Sequence, residues 1–247
     1  MSALLETAGL TRFFGMVRAA EDLNVRVAEG EFVGIIGSNG SGKTTFLNLV
    51  TGYLKPERGR ILLASRDVTG LAPRAITRMG VARSFQIPQL YLGLTVLDNM
   101  LLSLAARSGR VGLWAPLHQT GTRDEAREIL AQFSLEPHAE RAVRELPEGA
   151  RKLLDIAIAV ALRPSLLLMD EPTAGVSTED KFEVMDTLVP VLRGSGITTI
   201  FVEHDMDVVL RYSHRVLVFD QGLVIADGQP DAVLSDAGVR RAVLGHA

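Results

Sequence analysis

GSNGSGKTT, residues 37–45, follows directly on the apolar run FVGII at 32–36. It satisfies G-x-x-x-x-G-K-[ST] at every fixed position, from Gly37 to Thr44. In such a turn successive backbone N–H groups converge on an anionic phosphate, the lysine reaches the terminal phosphates, and the hydroxyl after it serves Mg²⁺. Gly37, Ser38, Asn39, Gly40, Ser41, Gly42, Lys43, Thr44 and Thr45 are therefore candidate phosphate contacts, with Thr44 also a metal ligand. The flanks fit: EFVGII enters as a strand, and KTTFLNLVTGYL at 43–54 spaces Phe46, Leu47, Val50 and Leu54 as a helix does. Gly52 and Pro56 mark that helix's end.

Upstream, LLETAGLTRFF and LNVRVAEG read as short strands, with alternating apolar positions in the second. Downstream, RILLAS at 60–65 and VARSFQ at 81–86 are strand candidates, and residues 95–145 read as mostly helical. From 146 the order is helix (ARKLLDIAIAVAL), buried strand (LLLMD), helix (DKFEVMDTLVPVLR), buried strand (ITTIFVEH), helix (MDVVLRYS) and two strands (RVLVFD, LVIADG). Such alternation predicts an α/β fold around a mainly parallel sheet covered by helices.

LLLMDEP at 166–172 is a short apolar strand ending in two carboxylates. Asp170, at the strand's C-terminal end, is placed to stand beside Mg²⁺, and Glu171 to orient and deprotonate a water attacking the γ-phosphate. The pair follows a phosphate loop in the chain, so it reads as the second half of an ATPase site rather than as two surface acids.

The bulk numbers exclude other classes. A net charge of −3 supplies no basic field for a nucleic-acid backbone, so no nucleic-acid partner is expected. The absence of cysteine rules out disulfides and thiolate metal sites. No signal peptide is read at the N-terminus, and LLDIAIAVAL and the other apolar runs are too short to span a membrane.

Taken in order, these motifs resemble the nucleotide-binding subunits of ATP-binding-cassette (ABC) transporters along nearly the whole chain. The likeness extends to Gln86 in RSFQ, LPEGA at 146–150 where the family's signature sits, TAGVS at 173–177, and His204 in FVEHD. It implies a P-loop NTPase of the ABC ATPase type, a single domain over 1–247. In it, residues 1–94 and 146–247 form the catalytic core with an antiparallel β subdomain, and 95–145 form a helical subdomain. It further implies that Gln86 contacts metal and attacking water, that His204 contacts the γ-phosphate, and that Phe14 stacks on adenine. The cofactors implied are ATP and Mg²⁺. Trp114 and His118 have no spacing partner and are read as structural or partner-facing.

RSFQIPQLYLGLTVLDNM, VEHDMDVV and the ending DAVLSDAGVRRAVLG are similar, more narrowly, to branched-chain amino-acid importer ATPases. The resemblance implies membrane subunits, a paralogous ATPase subunit forming a heterodimer (a homodimer in isolation), a periplasmic binding protein, and a place on the cytoplasmic face of a bacterial inner membrane. Cargo stays open among branched-chain and other amino acids, urea or amides and aromatic acids, and lipopolysaccharide export or a non-transport ABC ATPase is the alternative. The surface from Gln86 to Asn99, with Leu90, Tyr91, Leu92 and Leu94, is expected to dock a membrane subunit. LPEGA departs from the family's LSGGQ: Pro147 lacks the serine hydroxyl and N–H, and Ala150 replaces glutamine. What remains is the Gly149 N–H and a helix for which Pro147 reads as the first residue, and an asymmetric ATPase pair is expected.

Overall fold

The computed structural model describes residues 3–84, 86, 88–108 and 120–244, so Trp114 and His118 lie outside the described residues. Two sheets organise the molecule. The larger contains β4 (Phe32–Gly37), β7 (Val81–Ser84), β8 (Leu166–Asp170), β9 (Thr198–Val202), β10 (Arg215–Asp220) and β11 (Leu223–Gly228). Its order is β11-β10-β4-β9-β8-β7, parallel throughout except for the β10–β11 hairpin.

Alternation along these strands builds two cores. Phe32, Ile36, Leu167, Met169, Phe201, Val216 and Val218 face one side, while Val33, Ile35, Leu166, Leu168, Ile200, Val202, Leu217 and Phe219 face the other. Both faces must be covered, which is why these strands read as continuous apolar runs. On the first face lie α3 (Val96–Ser108), α4 (Thr120–Gln132), α5 (Glu148–Ala161), α6 (Asp180–Gly194) and α7 (Met206–Tyr212), with two short 3₁₀ turns at 136–138 and 143–145. The other face packs on α1 (Lys43–Val50) and on the second, antiparallel sheet.

That second sheet runs β2-β1-β5-β6, with β3 also paired to β1. Its strands are β1 (Ala3–Phe14), β2 (Val17–Leu23), β3 (Arg26–Ala28), β5 (Arg58–Leu63) and β6 (Arg66–Asp67). The expected strand LNVRVAEG shortens to β3, with its first residue, Leu23, closing β2. β2 ends at Leu23, and β3 resumes at Arg26 after Thr7, on β1, takes both sides of the gap: its hydroxyl donates to the Leu23 carbonyl and accepts from the Val25 N–H. Helix α1 stops at Val50, shorter than the 43–54 expected, because Thr51 and the left-handed Gly52 turn the chain. β7 stops at Ser84, so Gln86 lies beyond the strand rather than at its end. Five elements went unread in the sequence: β2 apart from its last residue, β6, α2 (Pro73–Arg78), α8 (Pro230–Ser235) and α9 (Ala237–Leu244). Among the described residues no helix is long and apolar enough to cross a membrane.

Candidate functional site

Parallel strand order brings the C-terminal ends of β4, β7, β8 and β9 to one edge of the sheet, where an open α/β sheet places its ligand crevice. The loop after β4 is shaped by close backbone approach. A Cβ on Gly37 would lie 2.2 Å from the Phe219 carbonyl oxygen, and one on Gly42 would lie 2.4 Å from that of Ala19. Both residues have positive φ, so glycine is demanded twice over. Lys43 folds back, and its ammonium donates to the carbonyls of Gly37 (2.8 Å) and Ser38 (2.9 Å). Burial pushes the Lys43 pKa down, against the opposing pull of Glu171 and Asp170. Among the described residues the buried Ser41 hydroxyl has no hydrogen-bond partner. A buried cation and an orphaned hydroxyl within a glycine turn at a helix N-terminus fit a phosphate group.

The donor set also fits Mg²⁺ held chiefly through phosphates. Thr44 is exposed at the start of α1, and the Asp170 carboxylate ends β8. No cluster of three His, Cys, Asp or Glu capable of caging a metal occurs among the described residues. Mg²⁺ commonly takes one or two protein oxygens and completes its shell from phosphate and water.

Asp170 and Glu171 diverge. Asp170 is buried against Arg83 of β7, whose guanidinium is 2.8 Å from Asp170 Oδ2 and also donates to Asn48 Oδ1 of α1 at 2.6 Å. Glu171 takes a left-handed backbone (φ 51°), unusual for a side chain with a Cβ, and its N–H donates to the Val202 carbonyl at 3.0 Å. Its carboxylate is bracketed: Gln86 Nε2 donates to Oε2 at 2.7 Å, and His204 Nε2 lies 2.9 Å from Oε1. Three residues separated by up to 118 positions thus meet around one carboxylate. Next to His204, the buried Glu203 carboxylate accepts from the Thr173 N–H (3.0 Å) and hydroxyl (2.7 Å) and from the His204 N–H (3.2 Å). It therefore ties the loop after Glu171 to the end of β9. Burial pushes its pKa up.

The structure does not bring Gly149 or Phe14 into this constellation. Phe14 is 45% exposed near the β1–β2 turn, with the Arg12 guanidinium 5.1 Å from its ring centre. Gly149 lines a separate cavity of about 410 Å³ with Pro147, Gly175 and Val176. Pro147 is not the first helical residue: it is the cap before α5 (ψ 160°), offers no side-chain cap bond, and leaves Glu148 to begin the helix. Of the apolar residues expected on the docking surface, Tyr91, Leu92 and Leu94 are exposed, whereas Leu90 packs on the core. Asn99 is buried and staples the segment, accepting from the Tyr91 N–H and donating to the Tyr91 and Thr95 carbonyls. Arg83, Lys152 and Glu203 are site residues that the sequence reading passed over, although Arg83 lies in the same RSFQ stretch as Gln86.

A phosphate turn on β4, a carboxylate pair on β8 and a histidine after β9 define a P-loop ATPase. The family model for ABC transporters matches residues 20–174, and the chain belongs to that family as an ATP-hydrolysing subunit. It is 36% identical to the high-affinity branched-chain amino acid transport ATP-binding protein LivG of Salmonella typhimurium, over 99% of this chain and 98% of that one. Its fold is similar to the ADP conformation of MJ1267, an ATP-binding cassette of an ABC transporter (TM-score 0.89, 32% identity, all of both chains). It is also similar to the dimeric post-hydrolysis state of the cassette MJ0796 bound to ADP and Pi (TM-score 0.78, 26% identity, 92% of this chain and 98% of that one).

Proposed function

We propose that this subunit binds Mg²⁺ and ATP at the Gly37–Thr45 turn and energises import of branched-chain amino acids from the cytoplasmic face of a membrane. The cargo reading is supported by the LivG likeness along the full chain. The single observation that carries the chemistry is the Glu171 carboxylate held between Gln86 and His204 at the sheet edge that bears Lys43. Lys43 and the loop amides hold the β- and γ-phosphates, and Thr44, Asp170 and Gln86 serve the metal, which neutralises charge on the phosphates when bound. Glu171 accepts the proton of the attacking water, Gln86 and His204 fix its orientation, and Phe14 offers its exposed ring to the base. Partners are two membrane subunits, a second ATPase chain whose nucleotide Gly149 faces, and a substrate-binding protein. Residues 95–145 act as a helical subdomain. A groove of about 220 Å³ walled by Thr51, Tyr53, Ile76, Arg83, Gln89 and Asp155 lies just ahead in the chain of the exposed Tyr91, Leu92 and Leu94, and a short helix of a membrane subunit docks on this surface.

Glu171→Gln tests the chemistry. ATP affinity stays within about threefold while turnover falls at least a hundredfold, because general-base catalysis is worth about 10²–10⁴. Lys43→Ala, by contrast, weakens ATP binding itself. Near-normal turnover in Glu171→Gln removes Glu171 from its role.

A further inference from the structure

Lys152 is a charged residue for which the nucleotide chemistry has no use, yet it is only 3% exposed. It lies in the first turns of α5, and its ammonium donates to the backbone carbonyl of Gln86 at 2.5 Å and to that of Glu171 at 3.4 Å. Those carbonyls belong to segments 85 residues apart, and the side chains of the same two residues meet at 2.7 Å. Lys152 therefore grips from behind the two backbones whose side chains form the front of the site. Burial pushes its pKa below that of an ordinary lysine, against the pull of Glu148, Asp155, Glu171 and Glu203. The grip matters most at Glu171, because a left-handed backbone persists only where its surroundings hold it. Relaxation of that one residue would swing the carboxylate away from Gln86 and His204.

We propose that Lys152 is a positioning residue that holds Gln86 and Glu171 in register and makes their alignment depend on where α5 sits. The helix capped by Pro147 and begun by Glu148 is thereby coupled to the hydrolytic carboxylate of its own chain. The proposal rests on Glu171 being the base.

The test is steady-state ATP hydrolysis by the full-length chain carrying Lys152→Met, which keeps the length and removes the ammonium, beside Lys152→Arg, Gln86→Ala, the Met/Ala double variant and Glu171→Gln. Lys152→Met is expected to lower kcat about ten- to a hundredfold, the worth of a charge-assisted hydrogen bond. KM for ATP should stay within about twofold, and Lys152→Arg should recover most of the loss. On the Gln86→Ala background the same Met change should cost less than about threefold, since residues acting through one another are not additive. An unchanged kcat, a KM that rises as far as kcat falls, or an equal cost on both backgrounds overturns the proposal. If the methionine variant does not fold, Lys152→Gln, an uncharged donor, is held to the same criteria. Loss of turnover in Glu171→Gln with full turnover in Lys152→Met sinks the positioning role alone. Turnover surviving in Glu171→Gln sinks the base reading instead.

Discussion

Arg83→Met isolates the buried ion pair under the site. The Arg83 and Asp170 side chains are 7% and 8% exposed, with a 2.8 Å contact, and Asn48 accepts a second bond from the same guanidinium. Removing one partner of a buried pair leaves the other charge without compensation, at a cost of about 3–5 kcal/mol. The Lys43 ammonium remains near enough to act on Asp170, so the lower end, about 3 kcal/mol, applies. For a chain of this size 1 kcal/mol shifts Tm by about 2–4 °C, which makes the expected drop about 6–12 °C. The assay is thermal unfolding in EDTA without nucleotide, on wild type, Arg83→Met, Asp170→Asn and the double variant. The double variant should recover more than half of the loss, because removing both partners leaves no uncompensated charge. A drop below about 2 °C in Arg83→Met, or a double variant as unstable as the sum of the singles, refutes the reasoning.

Glu203 supplies a pH signature. Its folded-state pKa lies above the ordinary value of 4.5 because of burial, so between those two values the folded protein holds a proton that the unfolded chain has released. Its contribution to stability therefore falls as pH rises through that window and stays lower above it. Glu203→Gln should flatten the decline, measured as the wild-type minus variant difference in urea midpoint from pH 4.5 to 8, and a difference independent of pH counts against the assignment. A photocrosslinker at Tyr91, 64% exposed, should capture a membrane subunit in the assembled transporter, whereas one at the buried Asn99 should not. Capture at both positions, or at neither, speaks against docking on this surface.

The parallel core was legible because its strands are buried on both faces. LLLMD and ITTIFV are buried at every position and apolar but for Thr198, Thr199 and the terminal Asp170, and nothing local competes with that signal. The antiparallel sheet was harder to read. Its break between Leu23 and Arg26 is decided by Thr7, sixteen residues away from the carbonyl it bonds, farther than the few residues over which strand alternation is read. Helix α2, six residues long and opened by Pro73, is too short to show a helical period, and the apolar spacing of 43–54 runs past the end of α1 at Val50, which the turn at Gly52, the residue that marked its end in the sequence, imposes. Local pattern was overruled by backbone geometry in one case and by tertiary contact in the other.

Within the site, what the sequence displayed was chemistry carried by backbone turns and strand ends: the glycine spacing of 37–42, the acids closing LLLMD, the histidine after ITTIFVE. What it concealed was the layer beneath. Arg83 and Lys152 act by reaching across elements, Arg83 from β7 to Asp170 on β8 and to α1, and Lys152 from α5 to the carbonyls of Gln86 and Glu171. A basic residue in an apolar strand or helix carries the same symbol whether it snorkels to solvent or is buried against a carboxylate, and only the fold distinguishes the two. Burial is the discriminator in both cases, since a charge is kept from water only where specific acceptors hold it. The two cations have different acceptors. Arg83 meets a carboxylate, so its loss is read first in stability, whereas Lys152 meets two carbonyls whose side chains form the site, so its loss is read first in kcat. That difference in acceptors makes the two variants separable by experiment although both residues lie within two contacts of Glu171.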